Sequence, residues 1–387
     1  MRVLYFGTYD RAFGRNRILA DGLAANGVDV VECHVPLWRN TDDKLAKASG
    51  RWNSLPFVLS VVRTYVTLLR AYWPLRSSYD VMVLGYTGQF DAFIARPLTW
   101  LARRPLVLDL CMSLYLIVTQ RGLSREHRFT SRFVYCCEWL ACRFPDLLIL
   151  DTPEYVQYFC DTYDISADRF RLVPAGADDQ IFRPLPPRTP DDQFRVVFHG
   201  TFIPNGHGIE VILRAADCLR DHPEILFELI GDGQAKAAAV ALVKSLALPN
   251  VKFTGWVPKA ELPTRLAQAD VILGVFGTTA HVFLTIPNKI FEGLAMRKPV
   301  ITRDGPAVRR TLRHGEDLYL VDSDEPAVLA QAILDLQADR ELCERLSQNG
   351  YAKIVTHHTL AGLGGRFMQH LQELLARRGA AMKTLKQ

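Results

Sequence analysis

The feature that most constrains this chain is a rhythm. Short apolar runs, each closed by a glycine or a polar residue, alternate with longer stretches of helical periodicity. Arg2–Gly7 reads as a strand, Asn16–Asn26 as a helix closed by Gly27, and Val28–His34 as the next strand. Val81–Gly85, Pro105–Leu110 and Asp146–Leu150 continue the series. Strands alternating with helices build βαβ units around a parallel, doubly wound sheet. The segment Arg183–Asp192 then places four prolines in ten residues with no apolar periodicity, which reads as a linker. After it the rhythm restarts: strands Phe194–His199 and Ile225–Ile230 flank a helix Ile209–Arg220, and an Ala-rich helix Ala235–Leu246 follows. Val251–Thr254, Val271–Val275 and Pro299–Thr302 supply further strands.

The chain has 387 residues, enough for two or three domains. The expected α/β organisation is two Rossmann-like, doubly wound parallel-sheet domains, 1–185 and 186–359. A last helix within 360–387 packs back across the hinge. Ligands of such sheets sit beyond the C-terminal strand ends, so the expected site is a cleft between the halves. At 49% hydrophobic and 22% charged residues, disorder, collagen and coiled coil are excluded. A net charge of +5 is too mild for a chain whose main partner is bulk nucleic acid. No uncharged apolar run reaches the roughly 18 residues of a membrane span. The start of the chain reads as strand rather than signal peptide, so the eight cysteines are expected to be reduced thiols in a cytosol. No cysteine or histidine spacing matches a metal site, and no metal is expected.

Four glycine-bearing strand ends carry the chemical information. Gly7 to Gly14 is too wide for a dinucleotide turn. The helix start there, with Gly14, Arg15 and Arg17, suits a phosphate or an acceptor, or is an ordinary turn with solvated arginines. Gly200-Thr201 through His207-Gly208 forms an open loop above a helix N-terminus, suited to a diphosphate. Gly231-Asp232-Gly233 is short and weakly specific alone. The fourth, Thr285-Ile286-Pro287-Asn288-Lys289-Ile290-Phe291-Glu292-Gly293, opens a helix on which Lys289 and Glu292 are three apart and share a face. A lysine there can neutralise a phosphate and a glutamate can accept hydrogen bonds from a ribose diol; a surface ion pair is the alternative. Asp109 interrupts an apolar strand end, where a buried carboxylate is costly unless partnered or functional.

These residues resemble the donor-binding domain of retaining GT-B glycosyltransferases of the family-4 type. The matching segments are Gly200–Asn205 with Gly208, Leu229–Gly233, Phe253–Trp256, Pro287–Ala295 and Lys298–Ile301. Asp151–Glu154 and Val173–Asp178 with Phe182–Pro184 look like the family's segments before the linker. The resemblance implies a retaining glycosyltransferase using a nucleotide-diphosphate sugar, UDP- or GDP-linked, with no further cofactor. Glu292 matches the second glutamate of the family's E-x7-E motif, the one that holds the ribose. Trp256 and Val257 would meet the base through backbone groups. The first glutamate falls at Leu284, so donor-sugar contacts are expected from backbone near Thr285–Pro287. The family's Arg and Lys on the diphosphate fall at Thr201 and His207, so phosphate charge is expected from Lys289, His207 or Arg15. Asp109 is expected to orient the acceptor, a glycan or lipid-linked precursor. A non-catalytic nucleotide-sugar-binding subunit and a GT-B-like sugar-nucleotide epimerase are the rival readings.

Two stretches mix arginines with aromatics, Arg51–Arg76 and Arg121–Arg143. They read either as core helices with arginines at the rim or as amphipathic segments for an anionic bilayer, peripheral on its cytoplasmic face.

Overall fold

The computed structural model describes residues 1–37, 55–120, 128–186, 188–189 and 191–384, the side chains of 128–129 and 381–384 excepted. The chain divides into two compact units, Met1–Pro174 with Leu360–Gln387, and Ala175–Thr359.

The first unit holds β1 (Arg2–Gly7), β2 (Asp29–His34), β3 (Val81–Leu84), β4 (Leu106–Asp109), β5 (Leu147–Leu150) and β6 (Phe170–Leu172). They form one sheet in the order β2-β1-β3-β4-β5-β6, with every pair parallel. Both faces are covered, which is why these strands read as unbroken apolar runs. Successive side chains point to opposite faces. Val3 and Tyr5 pack with Ile18 and Leu19 of the helix Gly14–Ala25 and with Leu363, Phe367 and Leu371 of the helix Leu360–Thr384. Phe6, one residue on, meets Tyr72 of the helix Leu55–Tyr72 edge to face at 5.9 Å. Leu55–Tyr72, Ala92–Ala102 and Arg128–Ala141 each carry the chain across the sheet in one direction. Right-handed crossovers therefore put all three on the face opposite Gly14–Ala25.

The second unit holds β7 (Phe194–His199), β8 (Ile225–Ile230), β9 (Val251–Thr254), β10 (Val271–Leu273), β11 (Val300–Arg303) and β12 (Tyr319–Val321). Their order is β12-β11-β10-β7-β8-β9, again all parallel. Strand order reverses at β7 and β10, so the switch point of this sheet lies at their C-terminal ends. One face packs Val196, Phe198 and Leu273 against the helices Ile209–Cys218 and Pro326–Ala338; the other packs Val197, Ile272 and Val300 against the helix Asn288–Ala295.

The unit boundary falls at Pro174 and Ala175, not at 185 and 186. Ala177 and Phe182 are buried in the second unit's core, and Arg188 donates to Asp270 at 2.7 Å, so the Pro-rich segment is part of that unit. Residues 360–387 belong with the first unit. No described helix is long and apolar enough to cross a membrane.

Candidate active site

At the second unit's switch point three loops pack backbone to backbone. Gly208, with φ of 71°, caps the helix Ile209–Cys218; a Cβ there would lie 2.5 Å from the Phe276 carbonyl carbon. A Cβ on Gly231 would lie 2.0 Å from the Gly200 carbonyl oxygen. The two glycines let loops 200–208 and 231–233 close on one another and on Phe276–Gly277, which no larger residue permits. The first N–H groups of Ile209–Cys218 have no partner within the helix and carry its positive dipole end.

The helix Asn288–Ala295 begins here, with Pro287 extended at its N-cap. It delivers Lys289 and Glu292 from a single face, and both are buried. The Lys289 ammonium sits 4.0 Å from the centre of the Phe198 ring, 3.4 Å from His207 Nδ1 and directly over the Gly200 backbone. His207 Nδ1 is also hydrogen-bonded to the Thr201 carbonyl oxygen. A carbonyl only accepts, so that nitrogen carries a proton and offers Lys289 no lone pair. Lys289 makes no ion pair among the described residues. Burial draws its pKa down from 10.5 to about 7, against the opposing pull of Glu292.

Glu292 is better partnered. Lys259 Nζ lies 2.8 Å from its Oε1, and His199 Nδ1 lies 3.8 Å from its Oε2. Burial pushes the Glu292 pKa up, but the opposing pulls, led by the charge of Lys259 together with its hydrogen bond, outweigh it and leave the pKa below its ordinary value. Burial holds His199 neutral, its pKa lowered to about 4. The His207 pKa is also drawn well below its ordinary value, by burial and then by Lys289. His207 therefore supplies no charge to a phosphate. The site is left with the paired Lys259 and Glu292, two neutral imidazoles, and Lys289, which is only partly protonated near neutral pH and gains its full charge when an anion such as a diphosphate arrives.

The other expected donor residues lie in this unit. Thr201 is exposed on the loop; Thr285 and Ile286 are buried; Asn288 is half-buried at the helix start. Trp256 is exposed and Val257 half-buried, on the loop after β9. Gly233 packs its backbone against Phe202. Leu284 ends the short helix Ala280–Leu284, where it offers no polar group. Among the described residues no group of His, Cys, Asp or Glu could hold a metal ion.

Two expectations in the first unit are corrected. Arg15 and Asp109, assigned to phosphate and acceptor, bind each other. Arg15 Nε donates to both Asp109 oxygens at 2.9 and 2.8 Å, and its Nη1 donates to the Val173 carbonyl at 3.0 Å. Asp109 is wholly buried and Arg15 nearly so. Burial disfavours the guanidinium charge, but Asp109 more than restores it. Each residue thus neutralises the other in a buried pair, although Arg15 Nη2, 2.8 Å from Asp109 Oδ1, makes no hydrogen bond among the described residues. Gly14 and Arg17 are half-buried at the start of the same helix.

Sequence reasoning missed Lys259 and the role of His199. Lys259 is 33 positions from its carboxylate partner, with no spacing signal to link them. His199 had one: a polar residue closing the apolar run Val196–Phe198, immediately before Gly200.

Residues 193–339 match the family described as glycosyl transferases group 1. The chain is 27% identical over 248 residues to the lipopolysaccharide core biosynthesis glycosyltransferase LpsD of Rhizobium meliloti, covering 59% of this chain and 69% of that one. It is 26% identical over 184 residues to LpsE of the same organism, covering 47% and 51%. The match thus spans only about half of LpsE's length. Among solved structures, sucrose-phosphate synthase from Thermosynechococcus elongatus superposes with a TM-score of 0.71 at 17% identity, covering 97% of this chain and 99% of that one. Anabaena HepE, crystallised with UDP and glucose, superposes with a TM-score of 0.66 at 18% identity, covering 96% and 100%. The second unit is thus similar to the group 1 glycosyl transferases over residues 193–339, and the chain as a whole has the two-sheet GT-B fold of the solved structures it superposes on.

Proposed function

We propose that the second unit binds a nucleoside-diphosphate sugar, UDP- or GDP-linked, and that the chain passes its sugar with retention to a hydroxyl of a glycan or lipid-linked acceptor held by the first unit. The observation that carries this reading is the placing of Lys289 and Glu292 on one helix face beside the Gly200–Gly208 loop. In this reading the diphosphate meets Lys289 and the N–H groups that open Ile209–Cys218, while Glu292 accepts from the ribose hydroxyls. The bond between the sugar's anomeric carbon and the phosphate oxygen breaks, and the acceptor oxygen bonds to that carbon on the same face. The acceptor proton passes to the departing phosphate oxygen. Negative charge then grows beside the Lys289 ammonium, already fixed in a poorly solvated setting, which is where electrostatic stabilisation is worth most.

The names of the relatives support a polysaccharide setting: LpsD and LpsE are lipopolysaccharide core enzymes, and HepE was crystallised with UDP and glucose. A calorimetric screen of UDP- and GDP-sugars, followed by NMR of the product's anomeric proton, tests the reading. Binding without hydrolysis or transfer would favour the non-catalytic binding subunit, for which Leu284 in place of an acidic residue speaks. Inversion at the anomeric carbon would overturn retention.

A further inference from the structure

We propose that one face of the first unit docks on an anionic lipid bilayer, an inference that deepens the lipid-linked acceptor reading but stands on its own observations. The helix Leu55–Tyr72 is apolar on two sides. Leu68 and Tyr72 face the core, and Tyr65 donates to buried Asp91 at 3.0 Å. The opposite side leaves Leu55 (71% exposed), Leu59 (58%), Val62, Val66, Leu69 and Trp73 (65%) in water. Their spacing alternates four and three, so they form one stripe along the helix, about 27 Å at 1.5 Å per residue.

The stripe is not isolated. Ala92–Ala102 and Arg128–Ala141 cover the same sheet face, and they expose Trp100 and Leu101, and Phe133, Trp139 and Leu140. Trp73, Trp100 and Trp139 all lie at or just beyond the C-terminal ends of their helices, hence at the edge where β3, β4 and β5 begin. Each carries a stacked guanidinium: Arg76 over Trp73 at 4.7 Å, Arg96 over Trp100 at 4.9 Å, Arg143 over Trp139 at 3.8 Å. Tryptophan with arginine at the rim of an apolar surface suits the headgroup layer of a bilayer.

Charge decides the partner. The three helices hold a single carboxylate, Glu138, and it is buried, accepting from Ser113, Tyr163 and the backbone of Leu114 and Tyr115. Arg63 and Arg70 flank the stripe in the open. Two copies paired along it would set these arginines against like charges with no carboxylate on the helix to match them. Anionic lipid supplies the missing charge for Arg63 and Arg70, whereas Arg96 at the rim already pairs with Asp146 at 2.8 Å. Arg51, Trp52, Arg121 and Arg125, also expected to be interfacial, lie outside the described residues, and the side chains of Arg128 and Phe129 are not described.

The test is co-sedimentation of the full chain with vesicles of phosphatidylcholine alone and of phosphatidylcholine with phosphatidylglycerol, at low and high salt. The chain should pellet with the anionic vesicles, more weakly at high salt. Arg63→Gln with Arg70→Gln should weaken that binding roughly thirtyfold, about fivefold for each guanidinium, and leave the neutral vesicles unaffected. Leu59→Asp with Val66→Asp should abolish binding to both. Thermal unfolding and circular dichroism of the same preparations should match the wild-type chain, which confirms that the first unit is folded, and unchanged nucleoside-diphosphate affinity separates this proposal from the donor reading. Indifference of the wild-type chain to both vesicles would overturn it. So would full anionic binding by the glutamine pair, or a solution dimer that the aspartate pair dissolves.

Discussion

Nucleoside-diphosphate binding should be coupled to proton uptake through Lys289. Its ammonium faces an aromatic ring and a ring nitrogen that already carries a proton, and burial lowers its pKa from 10.5 to about 7. Above pH 7 the unliganded side chain is therefore largely neutral, and an arriving diphosphate must bring the proton back. At about 1.4 kcal/mol per pKa unit, full recovery of the ordinary value caps the coupling at about 5 kcal/mol. The sign follows from linkage. The bound state holds more protons than the free state above pH 7, so affinity falls as pH rises. Between pH 7 and 9 the loss has a ceiling of roughly fiftyfold, and at pH 8 about nine-tenths of a proton is taken up per diphosphate. Isothermal titration in buffers of different ionisation enthalpy measures the uptake directly. The nucleoside alone should take up none, and Lys289→Arg, permanently charged, should remove the linkage. Equal uptake by nucleoside and diphosphate, or none by either at pH 8, would refute the argument.

Other outcomes follow from the same geometry. Glu292→Gln should weaken nucleotide binding by about 1.5–3 kcal/mol, the scale of a charged hydrogen bond, but leave the smaller affinity of a 2′,3′-dideoxyribose analogue nearly unchanged; calorimetry with both ligands checks it. Because the Glu292 pKa is held below 4.5, the wild-type affinity should show no acid loss until pH falls below that value. Asp109→Asn should leave Arg15 buried and unpaired, costing about 3–5 kcal/mol in urea unfolding without touching nucleotide affinity, since the pair lies in the first unit. Gly208→Ala should lose at least about 1–2 kcal/mol from its left-handed backbone alone, and diphosphate affinity with it, as differential scanning and titration on one sample would show.

Strand alternation made the fold legible because both faces of each sheet are buried, so apolar runs and strands coincide. Phe194–His199, Ile225–Ile230 and Val251–Thr254 match the observed elements residue for residue. The strands not anticipated, Phe170–Leu172 and Tyr319–Val321, are three-residue edge strands, too short to show periodicity. The candidate site was legible where it is local: Lys289 and Glu292 lie within one helix, and each loop announces itself by glycines. It failed where a partner is distant. Arg15 and Asp109 each read alone as a residue seeking a ligand, and only the parallel stacking of β1, β3 and β4 brings them together across 94 positions. Arg51–Arg76 stays open between core helix and interfacial segment because the helix Leu55–Tyr72 is apolar on more than one side, and composition does not tell which side meets the core.

The first unit is interrupted in sequence by the second, and this inverts the order of synthesis and folding. Residues 1–174 leave the ribosome first, yet their core lacks Leu363, Phe367 and Leu371, and Gly22 lies against Gly364 so closely that a Cβ on Gly364 would fall 2.0 Å from the Gly22 carbonyl carbon. The second unit, Ala175–Thr359, contains every strand of its own sheet and can close as soon as it emerges. A chain truncated after Thr359 should therefore resist protease in its later half and be cut readily in its earlier one. Through most of its translation the protein's oldest half is its least finished.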